Sequence, residues 1–295
     1  MISYLTGTLL HAFMKRFLAL ALPGLFLACQ PSNNNEQLAS PAWSTDFFDD
    51  FEEFNPENWQ DQRIWVNNEQ QCYIPDGDLG TREVSNGTLK LSVVKVDSLA
   101  PCDNLDKFGK QHPPTQYLAG RICSKNRQEF IKGKWTARLR LHSNGLASQF
   151  PAWWLLGAQN NEAPVQESDE TVCWPLTGSG EIDIFEHHGD HMKDAFTTGA
   201  IVSLDTCDKG DWWSKRENFP ASLSEYHEYS VEWEGHDLVY RLDQKEVYRN
   251  VGDGDLYPEP MFAILNFAKI TESPMENHWV MEVDWVKHER KNSTR

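Results

Sequence analysis

In the sequence GSGEIDIFEHHGD, residues 178–190, three carboxylates, Glu181, Asp183 and Glu186, lie among apolar residues that are typical of a buried strand. Side chains alternate between the two faces of a strand, so Glu181 and Asp183 share one face. Glu186 lies five residues after Glu181 and should point the opposite way, into the core. An unpaired carboxylate in a core is costly. A regular strand therefore does not account for this stretch.

A one-residue β-bulge after Ile184 resolves the conflict, because it returns Phe185 to the core and Glu186 to the face of the other acids. Two carboxyl groups that converge to about 5 Å suit a retaining glycosidase, one as nucleophile and the other as proton donor. Neighbouring negative charges also raise a carboxyl pKa and keep one acid protonated near neutral pH. The alternative is an ordinary solvated face of an antiparallel sheet.

The amino-acid composition limits the classes of molecule that the chain is expected to bind. The 295 residues carry a formal charge of −17 and contain no basic run. Such a chain is a poor candidate for binding nucleic acid or an anionic membrane surface, and the same reasoning disfavours a heavily sulfated polysaccharide. The 12 Trp offer aromatic faces that suit sugar rings, although tryptophans also fill cores.

The N-terminus has the pattern of an export signal over residues 1–29, with Met14 as the expected true start. Two basic residues precede a short apolar run, residues 17–28, which is too short to span a bilayer. The pattern resembles a bacterial lipoprotein signal with Cys29 as the lipidated residue, and residues 30–41 are predicted to be a flexible tether. We expect an exported protein, lipid-anchored to the bacterial outer membrane or otherwise periplasmic or secreted.

Export makes disulfides possible, and five cysteines remain after Cys29. Their odd number leaves at least one thiol outside an intramolecular pair. We favour the pairs Cys72 with Cys102 and Cys173 with Cys207. Cys123 is predicted to be a buried strand residue.

Residues 42–291 are predicted to form a single domain, because no second linker, low-complexity run or internal repeat interrupts them. Several segments alternate with period two, and no stretch has a sustained helical pattern. The strand segments are 89–96, 133–143, 228–248 (two strands joined around Gly235) and 280–289. Trp212 and Trp213 are expected on a loop. Many short strands separated by turn signals indicate an all-β sandwich.

The segment GEIDIFE resembles the E-x-D-x-x-E signature of glycoside hydrolase family 16, the laminarinase, lichenase, agarase and carrageenase group. Further similar segments lie in the expected order: FNPENW (54–59), NNEQQCY (67–73), NGTLKL (86–91), AGRICSK (119–125), FPAWWLLG (150–157), YHEYSVEW (226–233), PMFAILNFA (260–268) and VDWVKHE (283–289). The resemblance covers essentially the whole domain. It implies a β-jelly-roll sandwich of the concanavalin A-like lectin/glucanase type with an extended glycan cleft.

The resemblance also implies roles for the three acids. Glu181 corresponds to the nucleophile of a retaining double displacement, Glu186 to the acid/base, and Asp183 to the residue that orients and tunes the pair.

Other positions match the family less specifically. Trp174 and Trp154 correspond to positions that contact sugar, with core packing as the alternative for Trp154. Asn68, Arg121 and Asn266 correspond to polar cleft positions, or else serve structural hydrogen bonds.

The resemblance further suggests a structural calcium ion on the opposite side of the domain. Asp284 would be a ligand, with backbone oxygens near Asp50 and Gly87, and oxygen ligands suit calcium. A structural Asp without metal is the alternative, and no cofactor is required for the chemistry.

The sequence thus predicts a monomeric endo-glycosidase that cleaves a β-glucan with β-1,3 or mixed β-1,3-1,4 linkages. One alternative is a galactan hydrolase of the same family, of agarase or carrageenase type. Another is a non-catalytic glycan-binding protein of the same fold.

Overall fold

Alternating apolar and polar residues fold this chain into strands. The computed structural model describes residues 43–106, 108–142, 147–160, 180–203 and 212–292, with the backbone alone at 203, 212 and 213. The strands in chain order are β1 (Trp43–Asp49), β2 (Gln60–Asp61), β3 (Cys72–Tyr73), β4 (Arg82–Val84), β5 (Leu89–Ala100), β6 (Thr115–Ala119), β7 (Arg121–Cys123), β8 (Glu129–Phe130), β9 (Gly133–Leu141), β10 (Gln149–Gly157), β11 (Glu181–Glu186), β12 (Ala195–Ser203), β13 (Trp212–Pro220), β14 (His227–Glu234), β15 (Asp237–Leu242), β16 (Lys245–Asn250), β17 (Met261–Lys269) and β18 (Trp279–Lys291).

The strands form two sheets. The larger sheet has the order β16-β15-β14-β9-β18-β5-β6-β3, with β1 paired to β18 and β4 paired to β5. The smaller sheet has the order β13-β12-β11-β10-β17-β7-β2, with β8 paired to β17. Neighbouring strands run antiparallel except β3 and β6, which run parallel. The described ranges hold two short 3-10 helices, Asp78–Gly80 and Asp253–Leu256, and within them no helix has the length and apolar character to cross a membrane.

The core lies between the two sheets. In β9 the alternation predicted from sequence holds, since Trp135, Ala137, Leu139 and Leu141 are all buried in it. Trp135 meets Trp153 of the smaller sheet edge-on, with ring centroids 6.0 Å apart. Each sheet therefore has one face in the core and one outer face. The predicted all-β jelly-roll sandwich is confirmed.

Residues 228–248 belong to three strands, whereas the sequence predicted two. The additional break is a two-residue hairpin loop, Asp243-Gln244, between β15 and β16. Both loop residues have left-handed backbones, with φ of 48° and 67°. Such a turn is usually marked by Asn-Gly or Asp-Gly, and Asp-Gln does not carry that signal.

The structure settles part of the predicted cysteine pairing. Cys72 and Cys102 form a disulfide, as predicted. Cys123 is buried in β7, also as predicted. Cys29, Cys173 and Cys207 lie outside the described residues, as do the predicted signal and tether, so those predictions stand untested.

Candidate active site

Strand β11 carries the predicted bulge. On β10, Trp153 lies opposite Phe185 and Trp154 lies opposite Asp183, so Ile184 has no counterpart in the register. The pairing with β12 shifts over the same interval, between Asp183 and Glu186. The one-residue bulge predicted from the parity of the acids is confirmed.

The bulge separates apolar from acidic side chains. Ile182, Ile184 and Phe185 all lie in the core between the sheets. Phe185 reaches Tyr229 of the larger sheet, with ring centroids 4.7 Å apart. The three carboxylates are left on the outer face of the smaller sheet, which we call the acidic face (Glu181, Asp183 and Glu186).

Burial dominates the electrostatics of the acidic face. Asp183 and Glu186 are only 1% and 5% exposed, whereas Glu181 is partly exposed. Burial, and then the charge of Glu181, raises the pKa of Asp183 well above its ordinary value. Burial, and then the charge of Asp183, raises the pKa of Glu186 to about 8. Because Glu186 keeps its proton near neutral pH, it can act as a general acid.

Arg216 of β13 is the positively charged residue that contacts Glu186 and Asp183. Its Nη1 donates to Glu186 Oε2 at 2.8 Å and lies 3.4 Å from Asp183 Oδ2. This contact opposes the effects that raise both carboxyl pKa values. The sequence analysis did not identify Arg216, and it placed Trp212 and Trp213 of the same strand on a loop, which is wrong.

Backbone contacts hold β11 in place. The Thr198 hydroxyl donates to the carbonyl of Asp183 at 2.8 Å. The buried Tyr257 hydroxyl lies 3.2 Å from the carbonyls of both Glu181 and Ile201, one on each of two neighbouring strands. These side chains fix the register from which the carboxylates project.

Three of the predicted substrate-binding residues form one cluster. Trp154 Nε1 donates to Asn266 Oδ1 at 2.8 Å, and Asn266 Nδ2 donates to the Tyr73 hydroxyl at 3.2 Å. The Arg121 guanidinium carbon lies 5.1 Å from the centre of the Trp154 ring, and its Nε donates to Gln62 Oε1 at 2.6 Å. Arg121 and Asn266 are buried and contact Trp154, and their predicted contact with substrate stays a prediction.

The strand register connects this cluster to the acids. Arg121 lies opposite Asn266, Asn266 opposite Ala152, and Ala152 opposite Glu186. Trp154 lies directly opposite Asp183. The cluster and the carboxylates therefore occupy neighbouring positions on adjacent strands of the smaller sheet.

The remaining predicted substrate contacts are not brought into this cluster. Asn68 is exposed on a turn with a left-handed backbone, φ 55°, and its carbonyl accepts a bond from the Gln70 amide. Trp174 lies outside the described residues, and its predicted sugar contact stays a prediction.

The residues predicted to bind calcium have other contacts in the structure, and the calcium ion stays a prediction. Asp284 lies at a register shift in β18 and its carboxylate is paired with the Arg138 guanidinium. Asp50 is exposed, and Gly87 faces the carboxyl of Glu52 rather than Asp284. A guanidinium on the carboxylate competes with a metal ion. Within the described ranges no group of three His, Cys, Asp or Glu is arranged to hold a metal.

A cavity of about 540 Å³ lies beside the disulfide, lined by residues that include Arg63, Tyr73, Leu79 and Asp103. None of the three carboxylates lines it. Its acidic lining residues are Asp78 and Asp103, and Asp103 is paired with Arg63, so the cluster of three carboxylates is found on the acidic face and not in this cavity.

Comparison with known proteins agrees with this geometry. No protein-family model matches the chain. A β-glucanase from Rhodothermus marinus is 23% identical over 241 residues, which cover 77% of this chain and 72% of that protein.

Solved structures show the same likeness. LamAcat from Zobellia galactanivorans is 27% identical, with a TM-score of 0.69, over 83% of this chain and 97% of that one. A variant of LamA from the same organism, in complex with laminaritriose and laminaritetraose, is 26% identical with a TM-score of 0.70, over 84% and 99%. These likenesses confirm the predicted family resemblance and the prediction of a glycoside hydrolase. In sequence and in fold, the chain is similar to the laminarinase-type enzymes of glycoside hydrolase family 16.

Proposed function

We propose that this chain is a retaining endo-glycosidase that hydrolyses a β-glucan with β-1,3 or mixed β-1,3-1,4 linkages. The observation that carries the proposal is the bulge in β11, which turns Glu181, Asp183 and Glu186 onto one face. The raised pKa values of two of these acids supply a proton donor beside a partly exposed carboxylate.

In the first step Glu181 attacks the anomeric carbon while Glu186 transfers its proton to the leaving oxygen. The bond between the sugar carbon and that oxygen breaks as the bond to Glu181 forms. The pKa of Glu186, about 8, keeps the donor protonated near neutral pH. Burial and then the charge of Glu181 raise the pKa of Asp183, and its hydrogen bond with Glu181 lets Asp183 orient the nucleophile.

In the second step water attacks the same carbon and gives its proton to Glu186, which is now ionised. The bond to Glu181 breaks, and the sugar is released with its original anomeric configuration. Two displacements on the same carbon account for the retention.

The substrate class rests on the relatives. The Rhodothermus marinus protein is named a β-glucanase, and a LamA variant was solved in complex with laminaritriose and laminaritetraose. Trp154 offers an aromatic ring beside Asp183, but Arg121 covers part of it. The part of the Trp154 ring that Arg121 leaves uncovered is the surface we assign to a sugar.

The site of action follows from the N-terminal pattern. We propose that the protein is exported and held at the bacterial outer membrane by a lipid on Cys29. Metabolic labelling of the cells with a fatty acid, compared with a Cys29→Ser variant, tests this assignment. Labelling that persists in the variant would contradict it.

Replacing Glu181 with Gln should abolish hydrolysis while leaving the fold intact, because the amide cannot form the glycosyl ester. The measurement is reducing-sugar release from laminarin, barley mixed-linkage glucan, agarose and κ-carrageenan, with circular dichroism to verify folding. Glu225→Gln makes the same chemical change at an exposed loop residue and should hydrolyse normally.

The panel also separates the alternatives. Release from a galactan alone would keep the mechanism and overturn the substrate class. Glycan binding without release, by the wild type, would point to a binding protein. Normal turnover by Glu181→Gln would refute the assignment of the nucleophile.

A further inference from the structure

We propose that Arg216 is a positioning residue for Glu186, and that it reaches this acid because Gly199 lies beneath it. The inference rests on the proposed function, since it assigns Glu186 the acid/base role. It adds a residue from a strand that carries none of the three acids.

The strand register sets up the contact. Asp183 of β11 lies opposite Gly199 of β12, and Gly199 lies opposite Arg216 of β13. Arg216 must therefore extend across a whole strand to reach the acids. A Cβ on residue 199 would lie 2.7 Å from Arg216 Cγ and 2.2 Å from the carbonyl oxygen of Lys215. A side chain at position 199 would therefore clash with the backbone of β13 and with the Arg216 side chain, and glycine avoids both clashes.

The guanidinium is held at both sides. Its Nε donates to the Ser214 hydroxyl at 2.8 Å, and its Nη1 donates to Glu186 Oε2 at 2.8 Å. The same Nη1 lies 3.4 Å from Asp183 Oδ2. The Arg216 side chain is 31% exposed, whereas both acids are almost fully buried. The partly exposed Arg216 guanidinium thus contacts both buried carboxyl groups, those of Glu186 and Asp183.

Other titratable groups around Glu186 have different effects. Glu181 and Asp183 share its strand, and after burial the charge of Asp183 is what raises the pKa of Glu186. His188 follows it and is held neutral, because burial and then the charge of Arg216 lower its pKa to about 4. His187 is buried and bonded to the carbonyl of Ala195.

Within the residues that the structure describes, the two strands paired with β11 place no titratable side chain opposite Glu186. Glu186 lies opposite Ala152 on β10 and Thr197 on β12, neither of which titrates. On β13, Lys215 pairs with Asp253. The positive charge beside Glu186 thus comes from Arg216.

The proposed reaction explains why this charge is useful. Glu186 gives up a proton in the first step and must exist as a carboxylate to accept one from water in the second. Burial and Asp183 favour the protonated form only. A hydrogen-bonded guanidinium favours the ionised form. Arg216 therefore lets one residue serve as acid and then as base.

The test compares Arg216→Gln and Arg216→Lys with wild type, by the pH dependence of kcat/KM on a hydrolysed glucan. Without the guanidinium the pKa of Glu186 rises, so the alkaline limb of Arg216→Gln should move up by about one to three pH units. Lysine keeps the charge and should restore part of the shift. Arg249→Gln removes a surface arginine of the larger sheet and should leave the profile unchanged.

A second readout uses an aryl β-glycoside with a good leaving group, for which the second step limits turnover. Arg216→Gln should show a burst of aryl alcohol and a kcat at least about tenfold lower, since base catalysis is impaired. An equal loss of activity at every pH, with no shifted limb and no burst, would overturn the proposal and leave Arg216 a structural residue.

Carbon-13 NMR titration of the Glu186 carboxyl, assigned with Glu186→Gln, decides the question without turnover. Its pKa should be higher in Arg216→Gln than in wild type, and an equal value would contradict the proposal. If the wild type hydrolyses no glucan, the proposed function fails while this titration still reports on Arg216.

Discussion

Glu186 combines a nearly solvent-free position with a function that requires a change of charge. Burial and the neighbouring Asp183 raise its pKa to about 8, and the Arg216 guanidinium opposes that rise. Glu186 thus carries a proton that the unfolded chain would lose near pH 4 to 5. The same arrangement that provides a general acid therefore makes the stability of the fold depend on pH.

Glu186→Gln should become more stable than wild type as the pH rises. A carboxyl whose pKa is raised in the folded state stabilises the fold at low pH, and this contribution is lost as the pH climbs from about 4.5 to about 8. Glutamine carries no such proton. The difference in the free energy of unfolding should grow by up to about 1.4 kcal/mol per pH unit across that window.

Denaturant unfolding at several pH values measures this difference. The exposed control Glu225→Gln should follow the wild-type curve at each pH. Parallel curves for Glu186→Gln and wild type would show that Glu186 is not a high-pKa acid.

Strand β11 shows how one inserted residue changes the use of an element. Without the bulge, the parity of the strand would turn Glu186 inward and Phe185 outward. With it, Phe185 packs on Tyr229 and Glu186 meets Arg216. The local chain conformation is thus set by which side chains the core accepts.

The hairpin between β15 and β16 offers a test on an element far from this chemistry. Gln244 has a left-handed backbone, φ 67°, which costs a residue with a Cβ about 1–2 kcal/mol. Gln244→Gly should therefore raise the free energy of unfolding by roughly 1 kcal/mol. Chemical denaturation measures the change.

Lys245→Gly provides the matched control, since Lys245 is the first residue of β16. There glycine removes a strand side chain and should lower the free energy of unfolding by roughly 0.5–1 kcal/mol. Destabilisation by both variants would mean that the turn does not have the left-handed geometry.

Across the described domain, one disulfide ties β3 to the chain after β5. Cys72 and Cys102 are separated by 30 residues, and Tyr73 beside Cys72 accepts a bond from Asn266. The crosslink therefore restrains the unfolded chain and adjoins the cluster that holds Trp154.

Replacing both Cys72 and Cys102 with Ser should lower the free energy of unfolding by roughly 3 kcal/mol, mainly by freeing the unfolded chain. Denaturant titration without reductant measures the loss. Adding reductant to the double variant reports what any other disulfide contributes. A double variant as stable as wild type would show that this crosslink is not formed in the protein.

Much of the fold and of the candidate site can be predicted from the amino-acid sequence. The parity of Glu181, Asp183 and Glu186 required the bulge, and alternation such as that of β9 indicated an all-β sandwich. These features depend on neighbours in the chain, whose faces follow from strand geometry. The turn at Asp243-Gln244 was not predicted, because its residues carry no strong turn signal.

Three contacts were identified only in the folded structure: Arg216 with Glu186, Arg138 with Asp284, and Arg121 with Trp154. Arg216 and Glu186 are 30 residues apart, and Arg138 and Asp284 are 146 apart. Such contacts depend on which strands become neighbours and in which register, and on a missing Cβ at Gly199. Local periodicity contains no information on these features. The sequence therefore identified the three acids, whereas the packing of the strands brought Arg216 to them.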